Sequence, residues 1–485
     1  MKQVLIRKKS LEQMVESTQN SSANGLRRTL GPFSLTMLGI GAIIGAGLFV
    51  LTGQAAAVYA GPGIIFSFLL AAFICVFAAL CYAELASMIP VSGSVYSYVY
   101  VTLGELAAWI IGLVLILQYL FSPSTVAVGW SSYATSLLRD FDIVLPAYLS
   151  QAPVVYDVVH GWGLTGALIN LPAVFIVLLV GSLVAIGVQA AARFNNLMVF
   201  VKMTAILLFL VCGVFYVNPD NWTPLIPENT GVFGEFGISG ILRGAGVVFF
   251  AYIGFDALAT LAQETRNPQK DLPVGMVASL GISTVVYIAM ALVLTGVVSY
   301  QLLDVPDPIA VAVNNMGAKF TWLRYFVKVA ILSGLSTVIM VMIMGHARIL
   351  CMISQDGLLP AWFGKIHHKY QTPFNATIVI MLVMGMVVGI FPVGILGQLT
   401  SIGTLLLFVV VCLGGWYLRK TRPDLKRVFK VPFSPFIPIA GAAVCLGQMA
   451  VFPLVSWVQL IVWIGLGTLF YFGYGIKHSR LNQSK

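Results

Sequence analysis

The stretch Gly39-Ile40-Gly41-Ala42-Ile43-Ile44-Gly45-Ala46-Gly47-Leu48-Phe49 lies inside a long apolar segment near the start of the chain. Its four glycines fall within nine residues, and each costs a helix about 1 kcal/mol relative to alanine. In hydrocarbon the burden is greater, because an unpaired backbone group has no water to turn to. Such a stretch belongs where a membrane helix opens and lets its backbone meet something small and polar. The device recurs about two hundred residues later, where Gly244-Ala245-Gly246-Val247-Val248-Phe249-Phe250-Ala251-Tyr252-Ile253-Gly254-Phe255-Asp256 interrupts a second apolar segment. Glycine-interrupted segments in corresponding positions of two halves point to a transporter's binding site.

Composition agrees. Of 485 residues, 59% are hydrophobic and 9% charged, with a mean hydropathy of +0.95. No soluble domain of that length has this balance, so the expected class is an all-α polytopic membrane protein. The net charge of +10 does not suggest nucleic acid, because the basic residues sit in short loops between apolar segments. Cys75, Cys81, Cys212, Cys351, Cys412 and Cys445 fall within or at the ends of apolar segments, with no CxxC pair. Neither a disulfide framework, a metal site nor a cofactor is indicated. Residues 1–32 are polar and basic, so no cleaved signal peptide is expected and the first span directs insertion.

With about 20 apolar residues per crossing, twelve segments emerge. The first six lie at about 33–57, 62–89, 105–137, 170–188, 194–217 and 237–262. The second six lie at about 272–298, 321–352, 374–391, 397–418, 436–453 and 455–475. The third and eighth are long enough to be strongly tilted. Most of the 27 lysines and arginines then gather on one side: in residues 1–32, in the loop 419–435, in the tail 476–485 and in even-to-odd loops. The positive-inside rule places both termini in the cytoplasm. The breaks fall in segments one and six, so 33–217 and 237–418 read as inverted repeats of five spans, with 436–475 appended.

Four motifs carry a family resemblance: GIGAIIGAGLFVLTG, CYAELASMIPVSGSVYSYVY, FFAYIGFDALATLAQETRNPQKDLP and GHARILCMISQDGLLP. The chain resembles the amino acid–polyamine–organocation superfamily, most of all its cationic amino acid transporter branch, from about Leu26 to about Ser479. The resemblance implies the five-plus-five inverted-repeat fold, a plasma-membrane location and amino acid uptake coupled to protons rather than sodium. Departures are also visible. Gln118 stands where relatives carry a glutamate in span three, and Ala46 where a threonine is common. The usual double acid of span six reads Gln263-Glu264, and His346 stands where relatives often have glutamine.

The candidate site follows from what a zwitterionic amino acid needs. Amides at Gly45, Ala46 and Gly47 start a half-helix whose positive end suits the carboxylate. Carbonyls near Ile43 and, across the cavity, around Phe250, Ala251 and Ile253 suit the ammonium. The bland alternative is that these glycines only permit close helix packing. Lys202 lies about 12 Å along span five at 1.5 Å per residue, and an ionisable group there is a functional candidate by default. By resemblance it occupies the place of a coupling cation, touching carbonyls near Ile40 and Gly41, and would carry the coupled proton; a snorkelling lysine is the alternative. Phe250 is expected as the outer lid, and Met342 by resemblance sets pocket size, although a methionine in a Met-rich helix is ordinary core. Glu84 and Asp256, with Glu264, Arg266, Lys270 and Asp271, are expected as inner-gate ion pairs or as a solvated cluster. Arg243 lines the outer vestibule or anchors at headgroups, and His367-His368 belong to a loop.

The expected activity is proton-coupled symport of small to medium neutral L-amino acids, with the bilayer as environment and no nucleic acid partner. Exchange, uptake of cationic amino acids and non-transporting amino acid sensing are the alternatives. An enzyme would need a catalytic constellation, and ATP-driven pumping a GxxxxGK[ST] motif; the sequence has neither.

Overall fold

Prolines punctuate the helices. In this computed structural model, which describes residues 30–89, 94–157, 161–186, 188–305, 307–423 and 427–483, each expected apolar segment holds a helix. Side chains at 188–196 and at 263 and 264 lie outside the description, so the Gln263-Glu264 pair is not placed. The same holds for Arg193 and for the basic residues before Leu30. The principal helices are α1 Pro32–Ile43, α2 Ile64–Met88, α3 Glu105–Arg139, α4 Leu171–Ile186, α5 Val188–Gly213 and α6 Gly237–Val248. They continue with α7 Pro268–Val297, α8 Thr321–Gln355, α9 Phe374–Ile390, α10 Val393–Thr421, α11 Phe436–Ala450 and α12 Leu454–Phe470. Pro32 and Pro268 occupy first helical positions, and Pro373, Pro392, Pro435 and Pro453 the caps just before helices. Proline suits those places, because its missing N–H would have no intrahelical partner there.

Among the described residues, eight helical runs are long and apolar enough to cross a membrane, and four shorter apolar helices accompany them. One run, Gly47–Met88, is 42 residues long; at 1.5 Å per residue it would be about 60 Å, twice a hydrocarbon core. Gly61, with φ +60°, divides it ahead of Pro62, so the helix α2 is a separate element. The helices α3 and α8 are both 35 residues long and pack along each other. Each stands two principal helices after one that ends in a break. The all-α expectation needs one amendment. Val154–Asp157 and Gly161–Leu164 form an antiparallel hairpin in the α3–α4 connection, where β-branched and aromatic residues replace the helical pattern.

Charged residues tie the ends together. Lys328 of α8 is buried and reaches Asp140 at 2.7 Å beyond α3, while Asp307, capping the short helix Pro308–Asn315, lies 3.8 Å away. That short helix covers the second half of the first broken segment: a Cβ on Gly53 would meet Pro308 at 2.6 Å.

Candidate functional site

The first break is a single extended residue. The helix α1 ends at Ile43, and Ile44 turns to φ −76°, ψ 98°. Helical backbone resumes in a widened turn, Gly47–Leu51, whose cap Ala46 offers no side-chain hydrogen bond. The leading amides of such a segment have no intrahelical acceptor. In the second break, α6 gives way to a tight turn at Phe249–Tyr252, an extended Ile253 and Gly254 at φ +132°. Only glycine adopts that conformation without strain. The chain then continues as Phe255–Glu264 in a tight 3-10 form.

The two breaks touch. A Cβ on Gly47 would stand 2.3 Å from Ala251 Cα, and one on Gly254 would stand 2.8 Å from the carbonyl of Ala42. At these positions close packing by itself excludes a side chain. Gly45 differs: its Cβ would sit 3.4 Å from Val338 of α8, an ordinary contact. Met342 lies one turn beyond Val338 on the same helix face and is buried. Ala46 approaches α3, since a Cβ on Gly129 would lie 3.3 Å from its methyl group. Phe250 is buried within the second break.

Tyr287 of α7 links the breaks. Its hydroxyl oxygen is 2.9 Å from the Ile43 carbonyl and 2.6 Å from the Ala251 carbonyl, and its one proton serves both. The Ile43 carbonyl, expected to stand free, is thus engaged. The Phe250 carbonyl is also engaged, accepting from the Ile253 amide at 3.2 Å. Tyr287 was not singled out from sequence; a tyrosine amid the apolar run of α7 was the available signal, since a buried phenol needs a partner.

Lys202 is fully buried, and its ammonium donates to the carbonyls of Gly41 at 2.8 Å and Ile44 at 2.7 Å. Gly41 matches the expectation. Ile40 does not, because its carbonyl still accepts the Ile44 amide at 3.0 Å as the last bond of α1. Gly334 of α8 makes room for the lysine: a Cβ there would stand 2.7 Å from Lys202 Cδ. A cavity of about 10 Å³ adjoins Lys202, Phe49 and Ile309, at the lower limit for one water.

Residues 30–475 match the family model described as amino acid permease. The chain belongs to the amino acid permease family. It is 44% identical over 479 residues to the methylthioribose transporter of Bacillus subtilis (strain 168), covering 99% of each chain. It is 42% identical to the branched-chain amino acid permease BcaP of the same organism, covering 100% of each. With cationic amino acid transporter 1 of Arabidopsis thaliana it shares 33% identity over 80% of this chain and 62% of that one. These relatives are named as transporters or permeases, and the chain is a multi-pass membrane carrier rather than an enzyme.

The permease arranges its charges otherwise than expected. Glu84 does not join Asp256. It accepts from the guanidinium of Arg419 (Nε–Oε1 2.7 Å, with a second contact through Nη2) and from the Val431 amide at 2.7 Å. Arg427 Nε lies 3.5 Å from the same carboxylate. Glu84 therefore fastens the end of α2 to the end of α10 and its following loop. Asp256 is buried two residues past Gly254, accepting from the Gly254 amide at 3.1 Å and from Gln118 Nε2 at 3.0 Å. Arg266 and Lys270 lie beyond Thr265 and are exposed; Asp271 accepts from the Asn267 amide at the start of α7. Arg243 donates to the Val451 carbonyl at 2.6 Å.

Among the described residues, buried polar groups gather near Asp256: the hydroxyls of Tyr82 and Tyr119 and the side-chain amide of Gln118. The rings of His346 and Tyr119 stand 6.4 Å apart.

Proposed function

We propose that this permease takes up small to medium neutral L-amino acids together with protons, by alternating access about the two touching breaks. The observation that carries the reading is Lys202. Its ammonium occupies the carbonyls of Gly41 and Ile44 at the first break, the position a bound cation would take. Loss of its proton releases those carbonyls and loosens α1 from α5 and α8, which links protonation to opening. The leading amides at Gly45, Ala46 and Gly47 take the substrate carboxylate, with Ile43, Ala251 and Ile253 bordering the ammonium. Phe250 acts as lid, and Met342 bounds the side-chain pocket beside Gly45.

Neutral substrates follow from charge. Neither break contains an acidic residue, and Asp256 beyond the second is turned toward Gln118. A cationic side chain left unpaired there costs several kcal/mol. The relatives named for branched-chain amino acids and for methylthioribose, both without a charged side group, support a neutral pocket over a cationic one. Exchange of one substrate for another remains compatible with the same geometry.

In the membrane the reading gives twelve crossings, with 33–217 and 237–418 as inverted repeats, 436–475 appended, and 1–32, 419–435 and 476–485 in the cytoplasm. The bacterial relatives support a plasma-membrane location. The test is a competition panel in proteoliposomes, with the twenty amino acids and methylthioribose set against labelled leucine. Neutral aliphatic amino acids should compete best, and Met342→Ser should admit longer side chains. A wild-type preference for arginine or lysine, or an unchanged size profile in Met342→Ser, contradicts the pocket.

A further inference from the structure

A partly open apolar cleft lies away from the breaks, between α3, α9, α10 and α12. The α3–α12 contact explains why it exists. At one end the two helices are pinned: Trp463 Nε1 donates to the Leu113 carbonyl at 2.8 Å, Trp109 Nε1 to the Gly467 carbonyl at 2.9 Å, and Tyr471 to Glu105 at 3.0 Å. Gly467 permits the approach, since a Cβ there would stand 2.3 Å from Leu113. Further along, the helices part, and the wedge between them is a cavity of about 260 Å³.

Leu117 and Phe121 of α3, Leu396 of α10 and Phe391 at the α9–α10 turn line this cavity, with Gln459 the one polar side chain among the described residues. Gln459 is the sixth residue of α12, about 8 Å from its start at 1.5 Å per residue. The flank toward the bilayer carries Val462 and Leu466, 53% and 62% exposed.

An apolar cleft of this kind gives water few polar partners, and even a closed apolar cavity of ~150 Å³ takes up benzene. Left empty, its walls forfeit their dispersion contacts. We propose that it binds one acyl chain of a membrane phospholipid, with Gln459 donating its amide to an ester carbonyl of the same lipid. The chain lies against Leu117, next to the Gln118 that bonds Asp256, so the lipid braces α3 against α10 beside the transport machinery.

The site is tested in vesicles of phosphatidylethanolamine and phosphatidylglycerol, with a phosphatidylglycerol brominated at mid-chain as probe. Quenching of Trp463, taken as the difference between wild type and Trp463→Phe, should saturate at a lower probe fraction than quenching of the remaining tryptophans. Native mass spectrometry should count one retained phospholipid fewer in Val462→Trp, which plugs the exposed flank, and weaker retention in Gln459→Leu. Trp463 quenching that only tracks bulk lipid overturns the proposal. So does a folded Val462→Trp protein that keeps its full lipid count, or one that loses a dimer instead, which would make a second copy the occupant.

Discussion

At Gly45 and Gly47 the same residue type does two different jobs. Gly47 is sealed against Ala251, so any side chain there forces the breaks apart, whereas Gly45 has space for a methyl group beside Val338. Gly47→Val should therefore lower the yield of folded protein. Gly45→Ala should fold and keep substrate binding, and Gly45→Val should fold but weaken binding by tenfold or more, about 1.4 kcal/mol. Substrate-dependent thermal stabilisation of purified protein measures this; equal binding by Gly45→Val and wild type removes Gly45 from the site. The glycines and Lys202 were legible because both are anomalies in hydrocarbon. Tyr287 and Gly334 were not. Each acts through a partner far along the chain, Ile43 being 244 residues from Tyr287, and neither is unusual where it stands.

Helices were the most legible elements, since apolar runs and flanking prolines mark their ends. The segment expected at about 374–391 holds α9, Phe374–Ile390. The break of the second segment was legible as an interruption, but its continuation in 3-10 form was not, because that geometry depends on what Phe255–Glu264 packs against. The partner of Glu84 was not legible for a related reason: it was grouped with the charges after the second break, whereas it lies against Arg419, 335 residues away. The Glu84–Arg419 pair holds α2 to α10, and its carboxylate is almost wholly buried. Removing one partner of a buried pair costs ~3–5 kcal/mol; the partly exposed Arg419 places the loss toward the low end. Glu84→Gln should lower the temperature of half-inactivation and increase proteolysis in the loop after α10, with substrate affinity little changed. An affinity loss without a stability loss would instead make Glu84 part of the substrate path.

Across the whole molecule, two features meet at one place: a helix opened for its backbone, and a lysine that supplies the charge the opening calls for. The family is shown by the match over residues 30–475; the coupling ion is the claim that carries the account. It is tested by purified protein in proteoliposomes, with labelled leucine uptake measured with and without an inward proton gradient, in sodium and in sodium-free buffer, for wild type and Lys202→Ala. The account predicts gradient-driven accumulation by wild type that is indifferent to sodium. It further predicts that Lys202→Ala loses accumulation but retains counterflow exchange. Strict sodium dependence in wild type, or undiminished gradient-driven accumulation by Lys202→Ala, would contradict it.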